Sequence, residues 1–171
     1  MQDFYDGLSP FYHLIYPDWH ASIDKQGAEL ASLIRERWGS DVQKLLDVSC
    51  GIGTQALGLA SQGFDVVASD LSKESIARAR SEAKAKGLHI PFSVCDMREI
   101  QSHHQGGFDV VLSADNSMPH LLTDEDILQA LRGMYGQLNP GGGCLITVRD
   151  YEQVELGKGL VKPYGVREEN G

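Results

Sequence analysis

The chain of 171 residues is long enough for one domain with its own core, and 42% hydrophobic with 23% charged residues is ordinary for a soluble globular protein. A formal net charge of -9, without a block of lysine and arginine, argues against a nucleic-acid partner. Because no apolar run approaches the ~20 residues of a membrane helix and the N-terminus lacks a secretory signal, we expect a cytoplasmic protein with no membrane partner.

Helices and strands are predicted to alternate along most of the chain. Residues 1–20 are rich in aromatic side chains, and apolar residues at three- and four-residue steps predict a helix over 21–38. Periodicity, N-caps at Ser72 and Thr123 and glycine stops predict further helices at residues 54–62, 73–86 and 124–138. Short apolar runs predict strands at residues 44–48, 65–69, 91–95, 108–113 and 144–148, and a polar loop is expected at 101–107.

The predicted strands are apolar on both faces, which is typical of a parallel sheet covered by helices on each side. We therefore predict a single α/β domain over residues 1–171, with a Rossmann-like, doubly wound and mainly parallel sheet. Residues 1–38 would form an aromatic lid and a helix, residues 40–151 a cofactor-binding core, and residues 152–171 a tail. Ligands of such sheets bind at the carboxyl ends of the strands.

The stretch from Asp47 to Gly53 follows the first strand and precedes a helix. Gly51 and Gly53 allow the backbone to approach a bound molecule closely, and the helix that follows points free N–H groups toward the same place. This pattern predicts a nucleotide-type turn. Asp47 stands before the glycines, where a carboxylate suits a cationic group but would repel a pyrophosphate.

Acidic residues follow several predicted strands and would meet at one edge of the sheet. Asp70, which is 17 residues after Gly53, is placed to accept hydrogen bonds from both ribose hydroxyls. Asp96 follows the third strand, in reach of an adenine amino group, and Asp115 to Ser117 follow the fourth. A single acid after a strand is more often a turn former or a helix cap, and the glycine pattern alone would also serve NAD. The set together indicates a polar ligand cleft.

These four ordered motifs resemble the class I S-adenosylmethionine-dependent methyltransferases over about residues 40–151. The resemblance implies S-adenosylmethionine as cofactor, S-adenosylhomocysteine as product and no metal. It extends to the turn at 139–143, while Ser49 stands where the family often has glycine. By this resemblance Asp70 would bind the ribose, Leu71 and Met97 would flank the adenine, and Asp96 would take its amino group. The cofactor-binding residues it implies are Tyr5, Trp19, Asp47, Ser49, Gly51, Gly53, Asp70, Leu71, Asp96, Met97 and Asp115.

A narrower resemblance is to the glycine and sarcosine N-methyltransferases. The segments 115–121, 149–151 and 5–7 are similar to their Asn-Ser-x-x-His-Leu segment, their Arg-Asn-Tyr and their N-terminal closing element. The resemblance implies that Asn116 and Arg149 hold the carboxylate of an amino-acid-like substrate, since a guanidinium pairs bidentately with a carboxylate. Alternatively, Arg149 pairs with Asp150 or another acid at the rim.

An amine acceptor must lose a proton before it can attack a methyl group. His120 and Asn116 are the candidate catalytic residues, with His120 accepting that proton or orienting the acceptor; a lone histidine is more often structural. Tyr5, Tyr12, Tyr16 and Trp19 could cover a sulfonium through cation–π attraction, or pack against the sheet. Neither the adjacent His103 and His104 nor the cysteines Cys50, Cys95 and Cys144 have metal-ligand spacing.

The family's sheet normally has seven strands, whereas five are predicted here. The C-terminal edge hairpin would therefore be missing, and we expect a shortened chain in which cofactor binding is intact and methyl transfer weak or absent. Two other functions stay open at this point: a cofactor-binding fragment without turnover, and an NAD-dependent oxidoreductase. The partner is expected to be a small molecule, and the sequence makes no prediction of the oligomeric state.

Overall fold

The computed structural model describes residues 2–153, so most of the predicted tail at 152–171 lies outside the described residues. The helices are α1 (Gln2–Leu8), α2 (Trp19–Trp38), α3 (Thr54–Ser61), α4 (Lys73–Ala85), α5 (Ile100–His103) and α6 (Asp124–Gly136). Short 3-10 turns lie at Tyr12–Ile15, Met118–His120 and Tyr151–Gln153. The strands are β1 (Lys44–Asp47), β2 (Asp65–Asp70), β3 (Phe92–Val94), β4 (Phe108–Ser113) and β5 (Leu138–Ile146).

The described strands form one parallel sheet in the order β3-β2-β1-β4-β5. Successive side chains of a strand point to opposite faces, so Leu45 packs with α2, α3 and α4 while Leu46 packs with α5 and α6. Burial of both faces explains the continuous apolar runs of β1 and β4. The predicted Rossmann-like α/β fold with five strands is thereby confirmed for the described residues.

Helices α4 and α6 begin at the N-cap residues that were predicted from the sequence. The side chain of Ser72 accepts a hydrogen bond from the backbone N–H of Ser75, and that of Thr123 accepts one from Asp126, as N-caps do. Both caps end loops that leave the carboxyl edge of the sheet. They therefore help to fix the loops in which the candidate site residues lie.

Three segments differ from the sequence prediction. The prediction of a loop at 101–107 is wrong at its start, where the structure has the one-turn helix α5. Buried Ile100 begins this helix and packs against Gly133 of α6. Strand β5 begins at Leu138 and not at 144, with an irregular register opposite Phe108 and Val110. The N-terminal segment, predicted as an aromatic lid with no helix before residue 21, begins with the helix α1.

Helices α2 and α3 approach so closely that two glycines face each other. A β-carbon on Gly58 would lie 2.5 Å from the Ile23 carbonyl oxygen, and one on Gly27 would lie 2.5 Å from the carbonyl carbon of Gly58. Side chains at these positions would push the helices apart. This contact therefore fixes the position of α3 relative to the sheet. It also fixes the position of the glycine turn that precedes α3.

No helix within residues 2–153 is both long and apolar enough to cross a lipid bilayer.

We expect Gly58→Ala to lower the free energy of unfolding by about 1–3 kcal/mol, because backbone atoms must move to admit the methyl group. Urea unfolding followed by circular dichroism measures this change. Gly7→Ala is the matched control, since a β-carbon there meets no atom within 4 Å. That change should leave stability unaltered or slightly raised. Equal stabilities for the two variants would contradict the close-contact interpretation.

Candidate active site

A cavity of about 330 Å³ opens at the carboxyl edge of the sheet. Its walls come from α1, from the loops after β1, β2, β3 and β4, and from the start of α6. The structure brings together there the following residues that were predicted from the sequence: Tyr5, Ser49, Gly51, Asp70, Leu71, Asp96, Met97, Asp115 and His120. The remaining predicted residues, Trp19, Asp47, Gly53, Asn116 and Arg149, are placed elsewhere.

The turn after β1 has the conformation that its glycines permit. Gly51 and Gly53 have φ of 52° and 98°, in the left-handed region that other residues avoid. Gly53 closes the turn by donating from its N–H to the Cys50 carbonyl at 2.8 Å, and α3 begins at the next residue. Backbone atoms of this turn thus form one wall of the cavity.

Asp70 connects that turn with the loop after β2. Its Oδ2 accepts from the Gly51 N–H and its Oδ1 accepts from the Ser72 N–H, both at 2.8 Å. Burial raises the pKa of this carboxyl group, while the two N–H donors act against that rise. Asp70 therefore both shapes the site and presents a carboxylate to the cavity.

Asp47 lies beneath the turn and is 1% exposed. Its Oδ1 accepts from the Ser49 N–H at 3.1 Å, but Oδ2 has no hydrogen-bond partner among the described residues. Burial raises the pKa of Asp47 to about 7. A buried carboxylate oxygen without a donor is costly, so a cation or a hydrogen-bond donor bound next to the turn would stabilise it.

In the loop after β3, Asp96 forms an ion pair that was not predicted from the sequence. The Arg98 guanidinium donates to both carboxylate oxygens of Asp96 and, through Nη1, to Asp126 of α6 at 3.0 Å. These hydrogen bonds from Arg98 lower the pKa of Asp96. The pairing of Asp96 with Arg98 could have been predicted, because the two residues are close in sequence and follow a strand. The contact of Arg98 with Asp126 depends on the fold and has no local signal.

Helix α1 lies against the cavity and contacts it at two points. The Tyr5 hydroxyl is 2.7 Å from His120 Nε2, which brings α1 to the loop after β4. Asp6 accepts a hydrogen bond from the Ser72 hydroxyl at the start of α4. The N-terminal segment thus contacts both the loop after β4 and the loop after β2.

The other aromatic residues of this segment divide between the cavity and the core. Tyr12 lines the cavity, and the Tyr16 hydroxyl donates to Asp115 at 3.0 Å. Trp19, in contrast, is 5% exposed and donates from Nε1 to Thr54 Oγ1 at 2.8 Å. Its position corresponds to the packing alternative and not to a lid, because α2 begins at Trp19 and directs the ring into the core.

Asn116 and Arg149 meet at the rim, outside the cavity lining. Asn116 Oδ1 accepts from the backbone N–H of Arg149 at 3.0 Å, and Asn116 Nδ2 donates to the Tyr151 hydroxyl at 2.8 Å. Arg149 is exposed. In this arrangement the Asn116 amide holds the chain after β5 beside the loop after β4.

The charges around the cavity are mainly negative. Among the described lining residues, four carboxylates, those of Asp70, Asp96, Asp115 and Asp126, stand against one guanidinium, that of Arg98. Such a site favours a positively charged ligand. Within the described part of the chain, no group of three or more His, Cys, Asp and Glu is arranged to hold a metal ion.

The raised pKa of Asp47 predicts a pH-dependent stability. A folded-state pKa of about 7, above the ordinary 3.8, means that the folded chain binds the proton more tightly, so the free energy of unfolding falls as pH rises from about 4 to 7. Asp47→Asn removes this loss. The stability difference, variant minus wild type, should grow by roughly 2–3 kcal/mol between pH 5 and pH 8 in urea unfolding.

Asp65→Asn is the control, because this exposed carboxylate stands at the start of β2, at the other end of the sheet. Its difference from wild type should stay constant over the same pH range. A constant difference for Asp47→Asn as well would show that Asp47 does not titrate as the structure requires.

Comparison with known proteins places this site in a family. The model of a methyltransferase domain matches residues 45–142. The glycine/sarcosine N-methyltransferase of Parasynechococcus marenigrum is 31% identical over 145 residues, which are 85% of this chain and 50% of that protein. The enzyme of the same name from Halorhodospira halochloris is 27% identical over 137 residues, 80% of this chain and 50% of that protein. The chain spans about half the length of these curated relatives.

Solved structures show the same fold. A S-adenosylmethionine-bound amino pentose methyltransferase from Micromonospora echinaspora superposes with a TM-score of 0.71 at 23% identity, over 85% of this chain and 57% of that one. A S-adenosylmethionine-dependent methyltransferase from Clostridium acetobutylicum gives 0.69 at 18% identity, over 76% and 52%. These matches do not favour the NAD-dependent oxidoreductase considered from the sequence. The chain belongs to the class I S-adenosylmethionine-dependent methyltransferases, which confirms the cofactor expected from the sequence.

Proposed function

We propose that the protein transfers the methyl group of S-adenosylmethionine to the amino group of a small molecule, of the glycine or sarcosine type. The observation that carries this proposal is the acidic cavity, in which the glycine turn and Asp70 share one lining with Tyr5 and His120, which contact each other. A sulfonium and a protonated amine are both cations, and both suit such a cavity. The predicted cytoplasmic location and single domain remain predictions.

The residues present fit the cofactor. Asp70 faces the cavity with acceptor capacity left for ribose hydroxyls, and Asp96 with capacity for an amino group. Leu71 and Met97 supply apolar surface beside them. The unpartnered Oδ2 of Asp47 beneath the turn suits an ammonium group, directly or through water. Bound S-adenosylmethionine would supply an activated methyl group on a sulfonium.

The main task of the protein residues is to align the acceptor and to exclude water. Methyl transfer forms a bond from the acceptor nitrogen to the methyl carbon as the bond from carbon to sulfur breaks, and the bonding pair stays on sulfur. The nitrogen lone pair must be free, so an ammonium acceptor first releases a proton. His120 Nε2 can accept that proton when the Tyr5 hydroxyl turns away or passes it on. Tyr5 otherwise holds the imidazole in place.

The finer proposal, an amino-acid acceptor, is supported by the similarity of the chain to glycine/sarcosine N-methyltransferases and by the residues at the rim. Arg149 is exposed, and its backbone is held by Asn116, whose chain neighbours Asp115 and Ser117 line the cavity. A guanidinium there can pair with the carboxylate of a small amino acid while the amine enters the acidic cavity. Tyr151 forms hydrogen bonds with the Asn116 amide and thereby helps to hold the backbone of Arg149.

Calorimetric titration with S-adenosylmethionine, S-adenosylhomocysteine and NAD tests the cofactor proposal. We expect both adenosyl-sulfur ligands to bind and NAD not to bind. Asp70→Ala should weaken S-adenosylhomocysteine binding by roughly 10- to 100-fold, because hydrogen bonds to a charged group are lost. Unchanged affinity in a variant that melts like wild type would remove Asp70 from the ribose role, and tight NAD binding alone would contradict the cofactor.

Methyl transfer to glycine, sarcosine and methylamine tests the acceptor proposal. Arg149→Ala should raise the KM for glycine and sarcosine by roughly tenfold or more, with little effect on methylamine, which has no carboxylate. Arg132→Ala, on the exposed side of α6, is the control for loss of one positive charge. An equal effect of Arg149→Ala on all three amines would contradict a carboxylate anchor. Cofactor binding without transfer to any of them would contradict the proposed acceptor and would agree with the cofactor-binding fragment without turnover that the sequence left open.

A further inference from the structure

Arg98 lines the cavity, and the proposed chemistry leaves it without a role. Its backbone N–H donates to Asp96 Oδ1 at 2.9 Å. Its Nε–H is shared between Oδ1 at 3.0 Å and Oδ2 at 3.1 Å, and its Nη2 donates to Oδ2 at 2.5 Å. From α6, Asp126 accepts from Nη1 at 3.0 Å, and Gln129 Nε2 donates to the Arg98 carbonyl at 3.0 Å. Both the main chain and the side chain of Arg98 are thus held by α6.

These contacts leave Asp96 little freedom. An ionised carboxylate offers about four acceptor positions, and Arg98 directs three N–H hydrogens at them, with the Nε hydrogen shared between Oδ1 and Oδ2. The position that remains belongs to an oxygen of a residue in the cavity wall. A ligand group that reaches Asp96 therefore meets a single acceptor that is fixed in direction and cannot rotate away.

We propose that Arg98 is a positioning residue that makes the cavity selective for a purine with an amino group at C6. This inference rests on the proposed function, in which the adenine of the cofactor lies beside Asp96. An exocyclic amino group donates a hydrogen bond to the fixed carboxylate oxygen. A C6 carbonyl, as in hypoxanthine, presents an acceptor to an acceptor, so the remaining position of the partly buried Asp96 carboxylate gains no donor.

Without the guanidinium, Asp96 is released to rotate or to take up a proton, and a protonated carboxyl group can donate to a carbonyl. Selectivity between the two bases would then fall, beyond any general loss of affinity. If Arg98 only joined the loop after β3 to α6, its removal would weaken both ligands equally. The ratio of the two affinities therefore distinguishes a positioning role from a merely structural one.

The test compares S-adenosylhomocysteine with its deaminated analogue S-inosylhomocysteine by calorimetry. Wild type should bind the adenosyl compound at least roughly tenfold more tightly, the size expected for one hydrogen bond to a charged group. Arg98→Ala should reduce this ratio to within roughly threefold, and Arg98→Lys, which keeps the charge but not the planar fork, should give an intermediate ratio. Arg132→Ala should keep the wild-type ratio.

A ratio that stays at the wild-type value in Arg98→Ala overturns the inference, whatever the change in affinity. Asp126→Asn is the second variant if Arg98→Ala does not fold. It weakens the contact between the guanidinium and α6 while the contact with Asp96 remains. That variant should lower the ratio in part, and an unchanged ratio there counts against the inference. Wild-type protein that binds neither compound overturns the proposed function itself, so the two failures are distinct.

Discussion

The carboxylate of Asp70 is the interaction on which the candidate site depends, because it holds two loops at once. One oxygen accepts from Gly51 in the turn after β1, and the other accepts from Ser72 at the start of α4. Ser72 in turn donates to Asp6 of α1. Three separate parts of the sequence thus meet at the short loop after β2, and the close contact of α2 with α3 fixes the position of the glycine turn relative to the sheet.

This arrangement requires buried carboxylates in a region with few cations. Burial raises the pKa of both Asp47 and Asp70, and the main compensation comes from backbone N–H groups. Without a ligand the folded chain bears an electrostatic cost, since one oxygen of Asp47 has no partner within residues 2–153. A cationic ligand would reduce that cost and stabilise the fold by mass action. Arg98 lies across the cavity, so its charge does not serve Asp47.

The sequence predicts the structure best where local patterns determine it. Alternation of apolar runs with glycine stops predicted the parallel sheet, and acids at strand ends predicted the cavity wall, because parallel strands all end at the same edge. It missed the contact of Arg98 with Asp126, since nothing local connects residues 28 positions apart. It left Trp19 open between lid and core because the start of α2 decides the direction of that side chain. The bounds of short elements also depend on distant contacts. Ile100 begins a helix because α6 covers its side chain, and no local pattern signals this.

The loop after β4 shows why the acceptor side is harder to infer than the cofactor side. Asp115 and Asn116 have φ of 55° and 67°, a conformation that costs other residues more than Asn or Asp. Contacts from the end of β5 hold them there: Thr147 accepts from both backbone N–H groups, through its hydroxyl and its carbonyl. Within the described residues β5 is an edge strand. The position of Asp115 in the cavity therefore depends on an edge of the sheet, whereas Asp70 ends a strand that has neighbours on both sides.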